Sequence, residues 1–308
     1  MTHSFLFLGH RREPLASWRV AMGLSLVVTV VGCAHHPAEP VGTPAKESVL
    51  VLTTEQALLR VNAGQPQRVL ARVPVQGLPV GERLVGMDFR VARGVLYALG
   101  QSGRLYTLDA TTGQLTAVGS AAPAVALRGT RFELDFNPAA DRLRVVSDMG
   151  QNLRYHPDTG ALVDFDAQQP GTQPDPDLAY AQGDAQQGQA PLVLAAGYTY
   201  HQQNDKLTTN FAIDARQGTL VVQGSREGAA PVVSPNLGIL HTVGALGTGP
   251  LAAATLDISD VNNTALAALR TVADGRTRLY RLSLDTGVAI LVGTVAQGQP
   301  LVGMAIEP

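Results

Sequence analysis

The densest chemistry in the chain lies between Asp135 and Gly160, "DFNPAADRLRVVSDMGQNLRYHPDTG". Three aspartates before the last turn, three arginines, two asparagines, a glutamine and a histidine share these twenty-six residues. A guanidinium is a planar fork of donors that grips a carboxylate or phosphate two bonds at a time. Asn137, Arg142, Arg144, Asp148, Gln151, Asn152 and Arg154 are therefore the candidate ligand-binding residues, suited to a sugar, carboxylate or phosphate. The same groups can instead close an ion-pair and amide network between two packed elements. Along "RLRVVSD" a strand's alternation puts Arg142, Arg144 and Val146 on one face and Leu143, Val145 and Ser147 on the other. Asp135, Asp141 and Asp148 are the acidic partners nearest to hand.

Standard catalytic motifs are missing. There is no G-x-S-x-G ("GSREG" at Gly224 has the wrong spacing), no H-E-x-x-H, no phosphate loop and no dinucleotide fingerprint. "DVNN" at Asp260 is too short for a calcium loop and lacks its glycine. His156, His201 and His241 are scattered. No catalytic residue is assigned, and a binding protein is preferred to an enzyme.

What positions the polar stretch is a repeat. After Ser48 short apolar runs of strand length alternate with Gly- and Pro-containing turns. "LVGMDFRVARGVLYALGQSGRLYTLDATTGQLTAVGS" divides into four strands, Leu84–Val91, Val95–Gly100, Arg104–Asp109 and Gln114–Gly119. "FELDFNPAADRLRVVSDMGQNLRYHPDTGALVDFD" fits the same template. A looser third copy begins at "LVLAAGYTY" and a fourth at "AAATLDIS". The terminal "LVGMAIEP" repeats the opening of the first unit, while the start of the domain, "SVLVLTTEQALLRVNAG", lacks that strand. The last strand is expected to complete the first sheet, which is how a β-propeller closes. The fold class is all-β: a propeller of five four-stranded blades, or six if the long third unit is two. A β-sandwich of meanders is the competing architecture.

The turns "DATTG", "HPDTG", "DARQG" and "SLDTG" need one residue in the left-handed region, supplied by Gly113, Gly160, Gly218 and Gly287. Asp109, Asp158, Asp214 and Asp285 are assigned to turn structure. Three insertions interrupt the repeat: Ala167–Pro191, rich in Gln, Pro, Gly and Asp, is a binding loop or, as preferred, a mobile surface excursion, and "REGAAPVVSPN" (Arg226–Asn236) and "DISDVNN" (Asp257–Asn263) are shorter. Aligning the first strand of each unit stacks Asp88, Asp135 and Asp257 in one column of the central channel, with Tyr198 and Ala305 at the same level. Three carboxylates around a channel suit a divalent cation. They serve equally well as acceptors for neighbouring blades.

The amino terminus lies outside this repeat. Arg11, Arg12 and Arg19 precede an apolar run, Val20–Gly32, too short to cross a bilayer comfortably. It has the form of an export signal. It ends in "VVGC", which resembles a bacterial lipobox, and Cys33 is the only cysteine in the chain. Residues 1–33 are expected to be a lipoprotein signal with lipidation at Cys33. Residues 34–47 are a Pro-rich tether, and residues 48–308 are the propeller domain. The charge of -2, with only Lys46 and Lys206 as lysines, argues against nucleic acid.

The repeats "RLVGMDF…LYALG…GRLYTLD…TG" and "DFNP…DRLRVVSD.GQNLR", with "TVGALG" and the terminal "LVGMAI", resemble a bacterial family, domain of unknown function 4394, over about residues 48 to 307. The resemblance implies a secreted or envelope-associated repeat β-fold and no particular activity. The expected function is a non-enzymatic, monomeric cell-envelope lipoprotein that binds a protein, glycan or small ligand. The anchor lies in the outer membrane if the organism is Gram-negative. A metal-assisted, lactonase-like hydrolase with its site in the channel, or a purely structural envelope component, are the alternatives.

Overall fold

The computed structural model describes Glu39, residues 41–120 and residues 123–308; residues 1–33, expected to be a lipoprotein signal ending at Cys33, lie outside these. Along Ser48–Thr53 (β1), Val49 and Val51 are buried in one apolar cluster, and Leu50 and Leu52 in another. A strand whose two faces are both buried has this unbroken apolar run. The pattern recurs because each sheet is sandwiched between two others.

The first sheet continues with Ala57–Asn62 (β2) and Gln65–Pro74 (β3). The second holds Leu84–Arg90 (β4), Val95–Gly100 (β5), Leu105–Leu108 (β6) and Leu115–Ala117 (β7). The third holds Phe132–Asn137 (β8), Arg142–Ser147 (β9) and Asn152–Tyr155 (β10). Its fourth place is filled by two lone bridges, Tyr155 to Leu162 and Asn152 to Asp175. The fourth sheet runs from Val193–Tyr198 (β12) through Asn210–Asp214 (β13) and Thr219–Gln223 (β14) to Ile239–Ala245 (β15). A short parallel strand, Ala179–Tyr180 (β11), is added at its edge. The fifth comprises Leu251–Ile258 (β16), Ala265–Thr271 (β17), Thr277–Leu282 (β18) and Ala289–Thr294 (β19). Leu301–Ile306 (β20) then pairs antiparallel with β1 and completes the first sheet.

The innermost strands touch in a ring, β4 to β8 to β12 to β16 to β20 and back to β4. This is a five-bladed propeller, closed by its carboxyl-terminal strand as the repeat pattern requires. The long third unit is one blade, so the six-blade count falls away. Five apolar clusters fill the five gaps between blades, and the gap between blades three and four has the smallest.

Turn chemistry follows backbone position. Gly113 donates its N–H to the Asp109 carbonyl, Gly160 to His156 and Gly287 to Ser283, so the residue four before the glycine opens the turn. Asp109 stands there and accepts the Thr111 and Thr112 N–H groups at 2.8 Å; Asp214 stands there and accepts from Arg216. Asp158 and Asp285 sit two residues later and do not cap. Asp158 pairs with Arg90, and Asp285 is almost fully exposed. Gly113 has a second reason to be glycine. With φ at +78°, a Cβ there would lie 2.0 Å from the Pro74 carbonyl oxygen of the blade behind. Gly113→Ala is expected to destabilise the fold by more than the ~1–2 kcal/mol of a left-handed alanine. A urea unfolding midpoint equal to that of the wild type would refute this.

Candidate functional site

Asp88, Asp135 and Asp257 do meet. One carboxylate oxygen from each lies within 4.8 Å of the other two, and all three side chains are buried. Each aspartate comes from the innermost strand of a different blade and reaches forward to the next blade's inner strand. Asp88 accepts the Phe136 N–H at 2.8 Å, Asp135 accepts the Tyr198 N–H at 3.1 Å, and Asp257 accepts the Ile306 N–H. The carboxylates are therefore blade-to-blade bolts that also lie close to one another.

The bolts correct the channel column by one residue. Asp88 and Asp257 each accept from the residue after the next column position, Phe136 after Asp135 and Ile306 after Ala305. Asp135 accepts from Tyr198, so the position in blade four is Gly197. A Cβ on Gly197 would point forward onto Ile258 and Leu256 of blade five. The Tyr198 hydroxyl instead points back and accepts from Arg144 Nε at 2.5 Å. A glycine has no side chain to mark the column, so the sequence offers its neighbour Tyr198 instead. The column is thus three carboxylates, one methyl and one hydrogen.

Burial and mutual repulsion push the carboxyls up. Burial is the largest cause for Asp88 and Asp135, both held well above the ordinary carboxylate range, with the neighbouring aspartates adding to it. Burial lifts Asp257 to about 6 and, together with Asp257 itself, lifts Asp260 to about 7. Two acidic members escaped the sequence analysis. Glu133 is buried two residues before Asp135, on the same side of β8, and accepts from the Thr255 hydroxyl of blade five at 2.9 Å. Asp260 belongs to the dismissed "DVNN" stretch. The i, i+2 spacing of "ELD" was the available signal for Glu133; Asp260 had none, because a loop residue carries no face assignment.

The carboxylates border a cavity of about 10 Å³, room for one water-sized sphere. Asp260, Phe136 and Val91 also line a groove of about 300 Å³ walled by Ala92, Pro138 and Tyr200. Two features make the groove rigid. Asn263 clamps the Tyr200 backbone, accepting its N–H at 2.8 Å and donating to its carbonyl at 2.9 Å. Buried Arg90 donates to Asp141 at 2.8 Å through Nε and to Asp158 at 2.5 Å through Nη1, which pins blade two to the turns of blade three. Neither the cavity nor the groove is lined by His, Cys or Lys.

The seven polar candidates do not converge on an opening. Arg144 is buried between blades three and four, where it donates to Tyr198, Asn152, Asp175 (3.3 Å) and Asn236 (2.6 Å). Arg154 grips Asp175 bidentately at 2.7 to 3.1 Å. Asn152 donates to the Pro176 carbonyl and accepts from Gln223. Gln151 bonds the Arg128 N–H and the Ala126 carbonyl, and Asp148 bonds Thr130. Asn137 caps the turn at Ala139 and Ala140, and half-exposed Arg142 donates to the carbonyls of its own turn. The arginines' partner is not Asp135, Asp141 or Asp148 but Asp175, inside the Ala167–Pro191 insertion. That insertion is no loose excursion. Asp175 is fully buried, Tyr180 donates to Asp214 at 2.7 Å, and Asp184 accepts from Thr242. The polar excess replaces apolar packing in the gap whose cluster is smallest.

With the fold and the channel described, comparison with known proteins decides the family. The profile described as domain of unknown function (DUF4394) matches residues 57–305. The chain belongs to that family. Among solved structures, this DUF4394 domain is similar to a chain of a nidogen/laminin complex, at 9% identity over 85% of this chain and 98% of that one, TM-score 0.45. It is also similar to a structural-genomics protein of unknown function from Bacteroides thetaiotaomicron, at 11% identity over 75% of this chain and 58% of that one, TM-score 0.42. No curated protein matches the sequence.

Proposed function

We propose that this DUF4394 chain is a non-enzymatic, lipid-anchored scaffold of the bacterial cell envelope that binds a glycan or small oxygen-rich ligand at its channel mouth through a divalent cation. The observation that carries the proposal is the meeting of Asp88, Asp135 and Asp257, from three blades, at a small cavity that shares Asp260, Phe136 and Val91 with a preformed groove. A hard cation takes several oxygen ligands and prefers carboxylates. It would relieve the repulsion among three buried acids that no ion pair offsets among the described residues. One oxygen from each aspartate would supply three ligands, and Asp260, which lines both cavity and groove, marks the side from which a ligand's hydroxyl or carboxyl oxygens would approach. Phe136, Pro138 and Tyr200 offer the apolar wall on which a ring can rest. The lipid anchor rests on the lipobox at Cys33.

A ligand that selects the native state raises its melting temperature. Calcium should therefore raise the melting temperature of chelator-treated protein, and a screen of glycans and small acids should yield further shifts only when calcium is present. Ligand shifts that are indifferent to chelator would remove the cation from the account.

A second reading, metal-assisted hydrolysis, is favoured by Asp260 alone. It lines both cavity and groove, and its carboxyl is pushed up to about 7, where a general base works best near neutrality. Hydrolysis of lactones by the calcium-loaded protein that is lost in Asp260→Asn would favour this reading; activity that survives the substitution, or none in the wild type, excludes it.

A further inference from the structure

Among the described residues thirteen large apolar side chains are exposed; of these, Val69 and Leu70 lie on β3 and Ile290 and Leu291 on β19, at the outer edges of blades one and five. Apolar residues scattered singly over a surface need no explanation, but a gathered patch does. β3 and β19 are the outermost strands of their blades and touch each other: Ala296 donates its N–H to the Pro66 carbonyl at 2.8 Å. Val69 and Leu70 follow Pro66 by three and four residues, and Leu291 and Ile290 precede Thr294 by the same count. At ~3.3 Å per residue, both pairs stand within roughly 13 Å of the junction along their strands.

The amino-terminal segment enters at this junction. Glu39 accepts the Thr294 N–H at 2.8 Å and the Thr294 hydroxyl at 2.7 Å, and it pairs with Arg278 at 3.2 Å. Gln65 then holds the Gly42 carbonyl at 2.7 Å, and Asn62 holds Ala45. Only five residues separate Cys33 from Glu39. Six peptide steps span at most roughly 20 Å. A lipid on Cys33 is thereby kept within that distance of Glu39, so the edge where blades one and five join is the one brought towards the bilayer. Exposed Arg68 and Arg281 flank the apolar residues, the pattern of a surface that rests among anionic headgroups.

We infer that the joined outer edges of blades one and five form a membrane-resting face, with Ile290, Leu291, Val69 and Leu70 seated in the lipid headgroup region. The inference rests on the lipid-anchor reading of Cys33. The test uses the full-length protein purified from cell membranes and reconstituted in phosphatidylethanolamine–phosphatidylglycerol vesicles that carry a lipid-borne quencher. An environment-sensitive dye is placed on Ile290→Cys or, in blade three, on Met149→Cys, another exposed position. The expected result is blue-shifted emission and a large loss to the quencher at position 290, with neither at 149. Equal behaviour at the two positions, with intact-mass analysis showing lipid on Cys33, overturns the membrane face and leaves the anchor standing. A mass without lipid overturns both. Emission at 290 that shifts only when another envelope protein is added to the vesicles assigns the patch to a protein partner and overturns the membrane face.

Discussion

Arg144→Ala is expected to cost the propeller about 3–5 kcal/mol, the range for breaking a buried ion pair from one side. The arginine is buried, and its guanidinium holds four partners at once: Tyr198, Asn152, Asp175 and Asn236. These come from blade three, the insertion and blade four, so one side chain ties three segments together. Removing it leaves the carboxylate of Asp175, whose side chain is 0% exposed, with Arg154 alone. It also leaves the buried Tyr198 side chain with Asn137 as its remaining side-chain partner, and each weakened buried polar group adds to the cost. The neighbour on the same face provides the control. Arg142 bonds only its own turn's carbonyls at the surface, so Arg142→Ala should stay within about 0.5 kcal/mol of the wild type. Urea midpoints decide between them. Two variants of equal stability would show that blades three and four are held by something other than this network.

Chelator-treated protein is expected to lose stability as pH rises from about 4 to about 8. The sign follows from the direction of the shifts. A carboxyl whose value is raised in the fold keeps a proton that the unfolded chain has already released, so the fold is favoured at low pH. That advantage is lost as pH climbs through the folded value. Asp257, moved from 3.8 to about 6, accounts for about 3 kcal/mol on its own. Asp260, lifted to about 7, and Asp88, Asp135 and Glu133, lifted by burial, extend the loss toward neutrality and beyond. Asp135→Asn keeps an oxygen that can accept the Tyr198 N–H but removes the charge the other aspartates repel. This variant should be more stable than the ion-free wild type at mildly alkaline pH. Calcium should raise the wild type above it and leave the variant unmoved. A wild type with a flat profile would mean that no uncompensated charge is buried in the channel.

The sequence carries the parts of this molecule that repeat. "LVGM" at Leu84 and again at Leu301 reveals the closing strand, and "GMDF", "ELDF" and "TLDI" reveal the three channel aspartates, because a blade's inner strand has one form. Where the repeat is broken, the same logic fails by small steps. In β12 the column residue is Gly197, which has no side chain to mark its place, so the alignment falls on Tyr198 beside it. Asp175 lies in a Pro-rich insertion with no periodicity, so nothing in its neighbourhood announces that it will be buried against two arginines. The polar residues of blade three were legible as a network but not as a gap-filler. That role depends on how little apolar surface blades three and four share, a property of two distant segments together.

Asp88, Asp135 and Asp257 are expected to hold one divalent cation between them. Calorimetric titration of calcium into chelator-treated protein at neutral pH, beside the triple variant Asp88→Asn, Asp135→Asn, Asp257→Asn, measures it. The prediction is one bound ion per chain in the wild type and none in the triple variant. No binding to the wild type, or equal binding to both proteins, would contradict it and leave the three carboxylates as bolts between blades alone.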